Sequence, residues 1–119
     1  MEIAYTGRGF AYSNLYNYKK AVADFTSAIQ LSPDDATAYF NRSMVYSNNE
    51  DYELSLADLN KAVGLDPSYI DALLSRVIIN KALHHLQDAI NDCHTILKLT
   101  KDPVIIDQVK KLLAALGTY

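Results

Sequence analysis

Histidine and cysteine side chains in the last third of the chain are candidates for metal chemistry. His84 and His85 are adjacent, Asp88 follows three residues after His85, and Cys93-His94 lie about a turn further on. Imidazole, thiolate and carboxylate groups are the usual zinc ligands. Adjacent histidines point in different directions at the start of a helix, however, and Cys93 occupies a position of core type, so ligand number and geometry are unsupported. We expect no metal and no other cofactor.

A regular series of opposite charges is the second group that could do chemistry. The cations Arg8, Arg42, Arg76 and Lys110 are spaced by 34 residues, and so are the aspartates Asp24, Asp58 and Asp92. Arg42 lies three residues after Tyr39 and four before Tyr46, on what reads as the core-facing stripe of a helix. A buried charge needs a partner, and charges repeated once per module are usually structural rather than catalytic. The pattern predicts an interior ion-pair ladder.

Two pairings are open for this ladder. Arg42 can pair with Asp58 inside one repeat, or with Asp24 of the preceding one. Lys110 favours pairing between repeats. In that register Asp92 would pair with Lys110, and Arg8 would need a carboxylate that precedes residue 1.

The elements that must position these charges are internal repeats of the sequence. Residues 4–33, "AYTGRGFAYSNLYNYKKAVADFTSAIQLSP", align without gaps with residues 38–67, "AYFNRSMVYSNNEDYELSLADLNKAVGLDP", and a weaker third copy follows. Each copy reads as two amphipathic helices, near 36–48 and 52–64 in the second, with Asp51 as the N-cap of the latter. A last helix is predicted from Asp102-Pro103 to Gly117. The chain is therefore predicted to be all-α.

The repeated residues resemble the tetratricopeptide repeat (TPR), whose pattern W-x2-L-G-x2-Y, A-x3-F and proline spans 34 residues. The first copy matches at Tyr5, Gly9, Tyr12, Ala21, Phe25, Ala28 and Pro33. The resemblance covers residues 2 to 101. It implies a right-handed superhelix of three helix-turn-helix repeats, at about 2–35, 36–69 and 70–101, with a C-terminal capping helix at about 103–116. We expect one domain over residues 1–119, which can be a fragment of a larger protein.

The resemblance further implies a concave inner face that takes a peptide or a partner helix. On the first helix of each repeat, the side away from the core is also apolar, which is unusual for a helix face in water. Three asparagines beside this apolar row offer amide hydrogen bonds to a ligand. We call the following the trough residues: Thr6, Phe10, Asn14, Phe40, Asn41, Met44, Asn48, Leu74 and Ile78. The alternative is that neighbouring first helices, or another part of the protein, bury these side chains.

One branch of the family, the co-chaperones that grip the acidic tails of chaperones, uses a clamp of lysine, arginine and asparagine. Its positions fall on Thr6, Phe10, Asn41, Asp71 and Ser75. Only Asn41 matches, and an aspartate would repel a carboxylate. Tail binding is therefore the less favoured form of peptide recognition.

Composition narrows the remaining function classes. With 11 Lys+Arg against 14 Asp+Glu, the net charge of -3 offers no basic field for nucleic acid or an anionic membrane. A single cysteine indicates a reducing, cytoplasmic setting. We expect a non-catalytic scaffold or adaptor that binds protein. The alternatives are a structural or self-associating segment, and a recruiting module of an enzyme whose catalytic domain lies elsewhere.

Overall fold

A computed structural model describes residues 17–117, which form six α-helices and no strand. The helices are α1 (Tyr18–Leu31), α2 (Ala36–Asn48), α3 (Tyr52–Leu65), α4 (Ile70–Ala82), α5 (Leu86–Leu99) and α6 (Pro103–Ala115). The predicted all-α class is confirmed. The chain divides into two compact units, one ending at Pro67 and the other beginning at Ser68. Between residues 17 and 117, no helix combines the length and apolarity needed to cross a membrane.

In the first unit, α2 packs against both α1 and α3. Ala21 and Phe25 of α1 meet Val45 of α2 in a fully apolar cluster, and Tyr18 and Val22 cover it from the side. A second cluster forms at the other end of the same two helices, from Ala28, Ile29 and Ala38, with Tyr39 packed against it. The small alanines let the two helix axes approach closely, and Phe25 fills the space between them.

The α2–α3 pair is closed by serine hydroxyls as well as by apolar contacts. Ser55 occupies the repeat position of Ala21 and is fully buried. Its hydroxyl donates to the Ser43 carbonyl oxygen at 2.9 Å and lies 3.1 Å from the Ser47 hydroxyl. Because the buried hydroxyl finds partners, serine is tolerated where the repeat pattern has alanine.

The helix ends follow the caps that the sequence contains. The Asp35 carboxylate accepts from the Thr37 amide at 3.0 Å at the start of α2. The Asp102 carboxylate accepts from the Val104 amide at 2.9 Å, with Pro103 as the first residue of α6. Gly117, with φ of 81°, follows the end of α6 in the left-handed region. The start and end predicted for this last helix are therefore explained by local backbone chemistry.

Two turns between paired helices hold a non-glycine residue in the left-handed region. Glu50 has φ of 62° and His84 has φ of 63°, at equivalent positions of successive repeats. A side chain in this conformation costs roughly 1–2 kcal/mol, whereas glycine adopts it freely.

Replacing Glu50 with glycine is expected to raise the free energy of unfolding by about 0.5 kcal/mol. Relief of the left-handed backbone exceeds the added entropy of the unfolded chain, which is roughly 0.4–1 kcal/mol. Urea denaturation measures the change. The matched control is Glu53→Gly in the first turn of α3, where the backbone is helical, and it should destabilise by up to about 1 kcal/mol. Equal loss in both variants would contradict the account of the turn.

In the second unit, α5 packs against α4 and α6. Each helix contributes fully or nearly fully buried apolar side chains: Leu73 and Val77 from α4, Cys93 and Ile96 from α5, and Val109 and Leu113 from α6. Burial raises the pKa of the Cys93 thiol. Cys93 is thus a core residue in this unit, in the repeat position of Phe25, and its thiol is held protonated.

Candidate functional site

Arg42 is held by a bidentate pair with Asp58. Its Nε and Nη2 atoms donate to the two carboxylate oxygens at 2.8 and 2.7 Å, and Nη1 donates to the Thr26 hydroxyl at 3.0 Å. The Asp58 side chain is 7% exposed and that of Arg42 is 19% exposed. Fork-to-fork geometry is the strongest form of this ion pair. One guanidinium therefore joins α1, α2 and α3.

Aromatic rings complete the surroundings of this guanidinium. The Arg42 Cζ atom lies 5.9 Å from the centroid of the Tyr39 ring and 5.8 Å from that of Tyr46. Both distances suit a cation–π contact. The hydrogen bonds to Asp58 raise the pKa of Arg42. The hydrogen bonds to Asp58 outweigh the cost of partial burial, so the charged arginine is suited to holding the helices together.

Arg76 repeats this arrangement in the second unit. Its Nε and Nη2 atoms donate to the two oxygens of Asp92, each at 2.7 Å. The hydrogen bonds to Asp92 raise the pKa of Arg76. The same bidentate pair therefore joins α4 to α5.

The preference for pairing between repeats was wrong for both arginines. Arg42 takes Asp58 and not Asp24, and Asp92 takes Arg76 and not Lys110. Both oxygens of Asp92 are occupied by the guanidinium fork, and Lys110 lies exposed on α6. Asp24 is buried, and Arg8 lies outside the described residues.

The trough residues of α2 and α4 lie on helix faces with very different exposure. Thr6, Phe10 and Asn14 lie outside the described residues. Phe40, Met44 and Leu74 are half-buried, Asn48 is exposed, and Ile78 is 53% exposed. Asn41 is buried, with 6% exposure, which leaves little of its amide for a ligand. The apolar side chains are thus more accessible than the asparagine that resembles the clamp.

The clamp positions on α4 carry no cation. Asp71 is exposed in the first turn of α4, and Ser75 is half-buried one turn later. Arg76, the neighbouring cation, is committed to Asp92. Between residues 17 and 117, then, the positions that would grip an acidic tail on α4 present a carboxylate and a hydroxyl.

A polar contact that the sequence did not predict links α1 to the turn before α3. The Tyr18 hydroxyl donates to the Oδ2 atom of Asp51 at 2.5 Å, and the side-chain Nδ2 of Asn49 donates to the same oxygen at 2.9 Å. Asp51 is the N-cap residue of α3, as predicted, but its side chain makes no capping hydrogen bond. Its carboxylate is used to hold Tyr18 instead.

This contact shifts the pKa of both partners. Burial and the bond to Asp51 raise the pKa of Tyr18 to about 12, and the bonds from Tyr18 and Asn49 lower the pKa of Asp51. A raised tyrosine pKa means that the folded state favours the neutral phenol. The resulting stability is present below the ordinary pKa of 10.0 and is lost as the pH rises towards 12.

Replacing Tyr18 with phenylalanine is expected to reduce the loss of stability at alkaline pH. The measurement is urea denaturation of wild type and Tyr18→Phe at about pH 9 and about pH 11. The change in the free energy of unfolding between the two pH values reports the difference in bound protons between the folded and unfolded states. Tyr52→Phe, which removes one hydroxyl at the equivalent first position of α3, is the matched control. Identical pH dependence in wild type and Tyr18→Phe would contradict the assignment.

His84 and His85, in the turn between α4 and α5, have structural roles. His84 supplies the left-handed turn residue, and the His85 Nδ1 atom lies 3.2 Å from the Oδ1 atom of buried Asn80. Within residues 17–117, no three histidine, cysteine or acidic side chains are grouped closely enough to hold a metal ion.

Family comparison assigns the first two repeats. The sequence pattern of the tetratricopeptide repeat matches residues 3–35 and 36–69. A comparison with curated proteins finds no match.

Solved structures match almost the whole chain. The second TPR domain of human RPAP3, in complex with the HSP70 peptide SGPTIEEVD, has 26% identity and a TM-score of 0.85, covering 98% of this chain and 95% of that one. The second TPR of Spaghetti (RPAP3), bound to the HSP90 peptide SRMEEVD, has 29% identity and a TM-score of 0.77, covering 83% and 92%. The TPR2B-domain:pHsp70 complex of yeast Sti1 has 19% identity and a TM-score of 0.88, covering 98% and 95%. The fold of three helix-turn-helix repeats is thereby confirmed.

Proposed function

The chain belongs to the tetratricopeptide repeat family, and on this basis we propose that it is a non-catalytic module that binds a peptide or a helix of a partner protein. Members of the family are typically binding modules, and the two RPAP3 domains were solved with HSP70 and HSP90 peptides. Arg42 and Arg76, two of the side chains best suited to chemistry, form ion pairs with Asp58 and Asp92. We also propose that residues 1–119 form one domain and that it works inside the cell.

The observation that carries this proposal is the accessible apolar surface on the first helix of each pair. Phe40 and Met44 lie four residues apart on α2, and Leu74 and Ile78 lie four residues apart at the equivalent positions of α4. A helix that only has to face water gains nothing from a side chain such as Ile78, which keeps 53% of its surface exposed. We propose that the trough residues on α2 and α4 contact the ligand.

An acidic chaperone tail is not the ligand that we propose, although the RPAP3 domains bind EEVD peptides. Recognition of carboxylates needs cations, and α4 offers Asp71 and Ser75 at the clamp positions. A carboxylate ligand beside Asp71 would meet like charge without a compensating partner.

Selection from a random peptide library tests the proposal. Peptides that bind the wild-type domain should lose affinity for the double variant Phe40→Glu and Met44→Glu, since two charges would then occupy the apolar face. The control is Leu54→Glu, which changes a more exposed leucine (50%) on α3. Melting curves verify that both variants are folded. Retention of binding by the double variant, or loss only in Leu54→Glu, would contradict the proposal.

A further inference from the structure

The outward face of α4 combines an apolar centre with opposite charges at its two ends. Asp71, Leu74, Ile78 and Lys81, the α4 stripe, are spaced by three, four and three residues and lie within an arc of about 80°. Asp71, Ile78 and Lys81 are exposed, and Leu74 is half-buried. Neither Asp71 nor Lys81 has an ion-pair partner among residues 17–117.

Two other helices of the chain show that the repeat does not require this combination. On α2, the equivalent positions hold Thr37, Phe40, Met44 and Ser47, which keep the apolar centre without charges. On α5, Asp88 and Lys98 are also ten residues apart in the first and last turns, but polar Asn91 and Thr95 stand between them. Favourable interaction with the helix dipole explains the charges of α5 by itself. Only α4, of these three, joins both features on one face.

Resting on the proposed function, we infer that the α4 stripe docks an amphipathic helix of a partner protein, antiparallel to α4, that carries an acid, two apolar residues and a base at spacings of three, four and three. In this orientation the ligand's acid meets Lys81, its apolar pair meets Ile78 and Leu74, and its base meets Asp71. The same order places an acid in the ligand's first turn and a base in its last, which stabilises the ligand helix itself. A parallel ligand would need the reverse order, against its own dipole.

Charge complementarity is therefore the basis for the choice of occupant. Burial of Leu74 and Ile78 against the ligand supplies affinity. The charges of Asp71 and Lys81 determine the direction and register of the ligand helix. An acidic tail would satisfy Lys81 but would place like charge against Asp71. A helix with an acid at one end and a base at the other satisfies both.

The test uses two capped, alanine-based helical peptides of about 16 residues, a length at which helices become stable in water. The on-stripe probe carries Asp, Leu, Ile and Lys at the stated spacings, and the off-stripe probe keeps Leu and Ile but exchanges both charges with alanines of its opposite face. Fluorescence anisotropy measures the affinity of each probe for the intact domain. The wild type should prefer the on-stripe probe by about tenfold, since the off-stripe probe loses both charge contacts in either orientation. A nitroxide at the N-terminus of the on-stripe probe should broaden the amide signal of Lys81 more than that of Asp71; stronger broadening at Asp71 would contradict the antiparallel orientation.

Charge reversal in the protein supplies the decisive comparison. Lys81→Asp leaves the on-stripe probe with one attractive and one repulsive contact in either orientation, and it should abolish the preference between the probes. The matched control, Lys98→Asp in the last turn of α5, makes the same charge change and should leave the preference at its wild-type value. Melting curves confirm that both variants fold.

Each other outcome would overturn the inference in a distinguishable way. Equal binding of both probes, lost in Ile78→Glu, would reject the charge register and leave the proposed function standing. No binding of either probe up to about 1 mM would reject the α4 stripe as the docking site, while the peptide-library selection decides the proposed function separately. An equal change of the preference in the α5 control would show that it comes from the overall charge of the protein and not from the α4 stripe. A concentration-dependent dimer that Lys81→Asp abolishes would make a second copy of this chain the occupant.

Discussion

Replacing Asp58 with alanine is expected to lower the free energy of unfolding by about 3 kcal/mol. The change removes both carboxylate oxygens that receive the Nε and Nη2 donors of Arg42. Breaking a buried pair costs about 3–5 kcal/mol because the remaining charge is left uncompensated. We take the lower figure because Arg42 keeps the Thr26 hydroxyl and some contact with water. The corresponding fall in melting temperature is about 10 °C or more.

The chain offers a matched control for this result in an exposed ion pair. Asp107 and Lys111 lie 3.1 Å apart on α6, with side chains that are 67% and 78% exposed. Exposed pairs of this kind contribute about 0.5 kcal/mol or less. Asp107→Ala should therefore leave the melting temperature almost unchanged in the same calorimetric scan. Similar effects of Asp58→Ala and Asp107→Ala would contradict the structural role given to the buried pair.

Replacing Phe25 with alanine should destabilise the first unit by about 3–5 kcal/mol. The ring is completely buried between α1 and α2, where it packs against Ala21 and Val45. Truncation leaves a cavity, and the neighbouring alanines are too small to fill it. Chemical denaturation followed by circular dichroism measures the loss.

Leu31→Ala is the control for this substitution, because it shortens an apolar residue of the same helix that is 54% exposed. It should cost about 0.5 kcal/mol or less, as surface changes usually do. A small loss in Phe25→Ala would show that the aromatic ring does not hold α1 and α2 together.

The helices were predictable because the burial pattern recurs at a fixed period. The predicted helix near 36–48 is Ala36–Asn48, and that near 52–64 is Tyr52–Leu65. Each hairpin is made of contacts close in sequence, so amphipathic spacing and turn residues were sufficient. The last helix was equally local, since Asp102, Pro103 and Gly117 determine its ends.

The partners of the charged residues were harder to predict. Periodicity shows which face of a helix a residue lies on, but it does not show which neighbouring side chain that residue contacts. Asp24 and Asp58 were both candidates for Arg42, and Lys110 favoured Asp24. The packing of α2 against α3 brings Arg42 to Asp58 instead. Thr26 carried no signal, since a threonine on a helix has many ordinary roles. The Tyr18 bond was missed because Asp51 had a simpler local use as a cap. The trough residues remain a prediction.

The most direct test of ligand binding by the first helices is a titration of the ¹⁵N-labelled domain with a library-selected peptide, followed by amide chemical shifts. We predict that the largest shifts fall on the outward faces of α2 and α4, at Phe40, Met44, Leu74 and Ile78. Shifts concentrated on α3 and α5, with these four residues unchanged, would contradict the proposal.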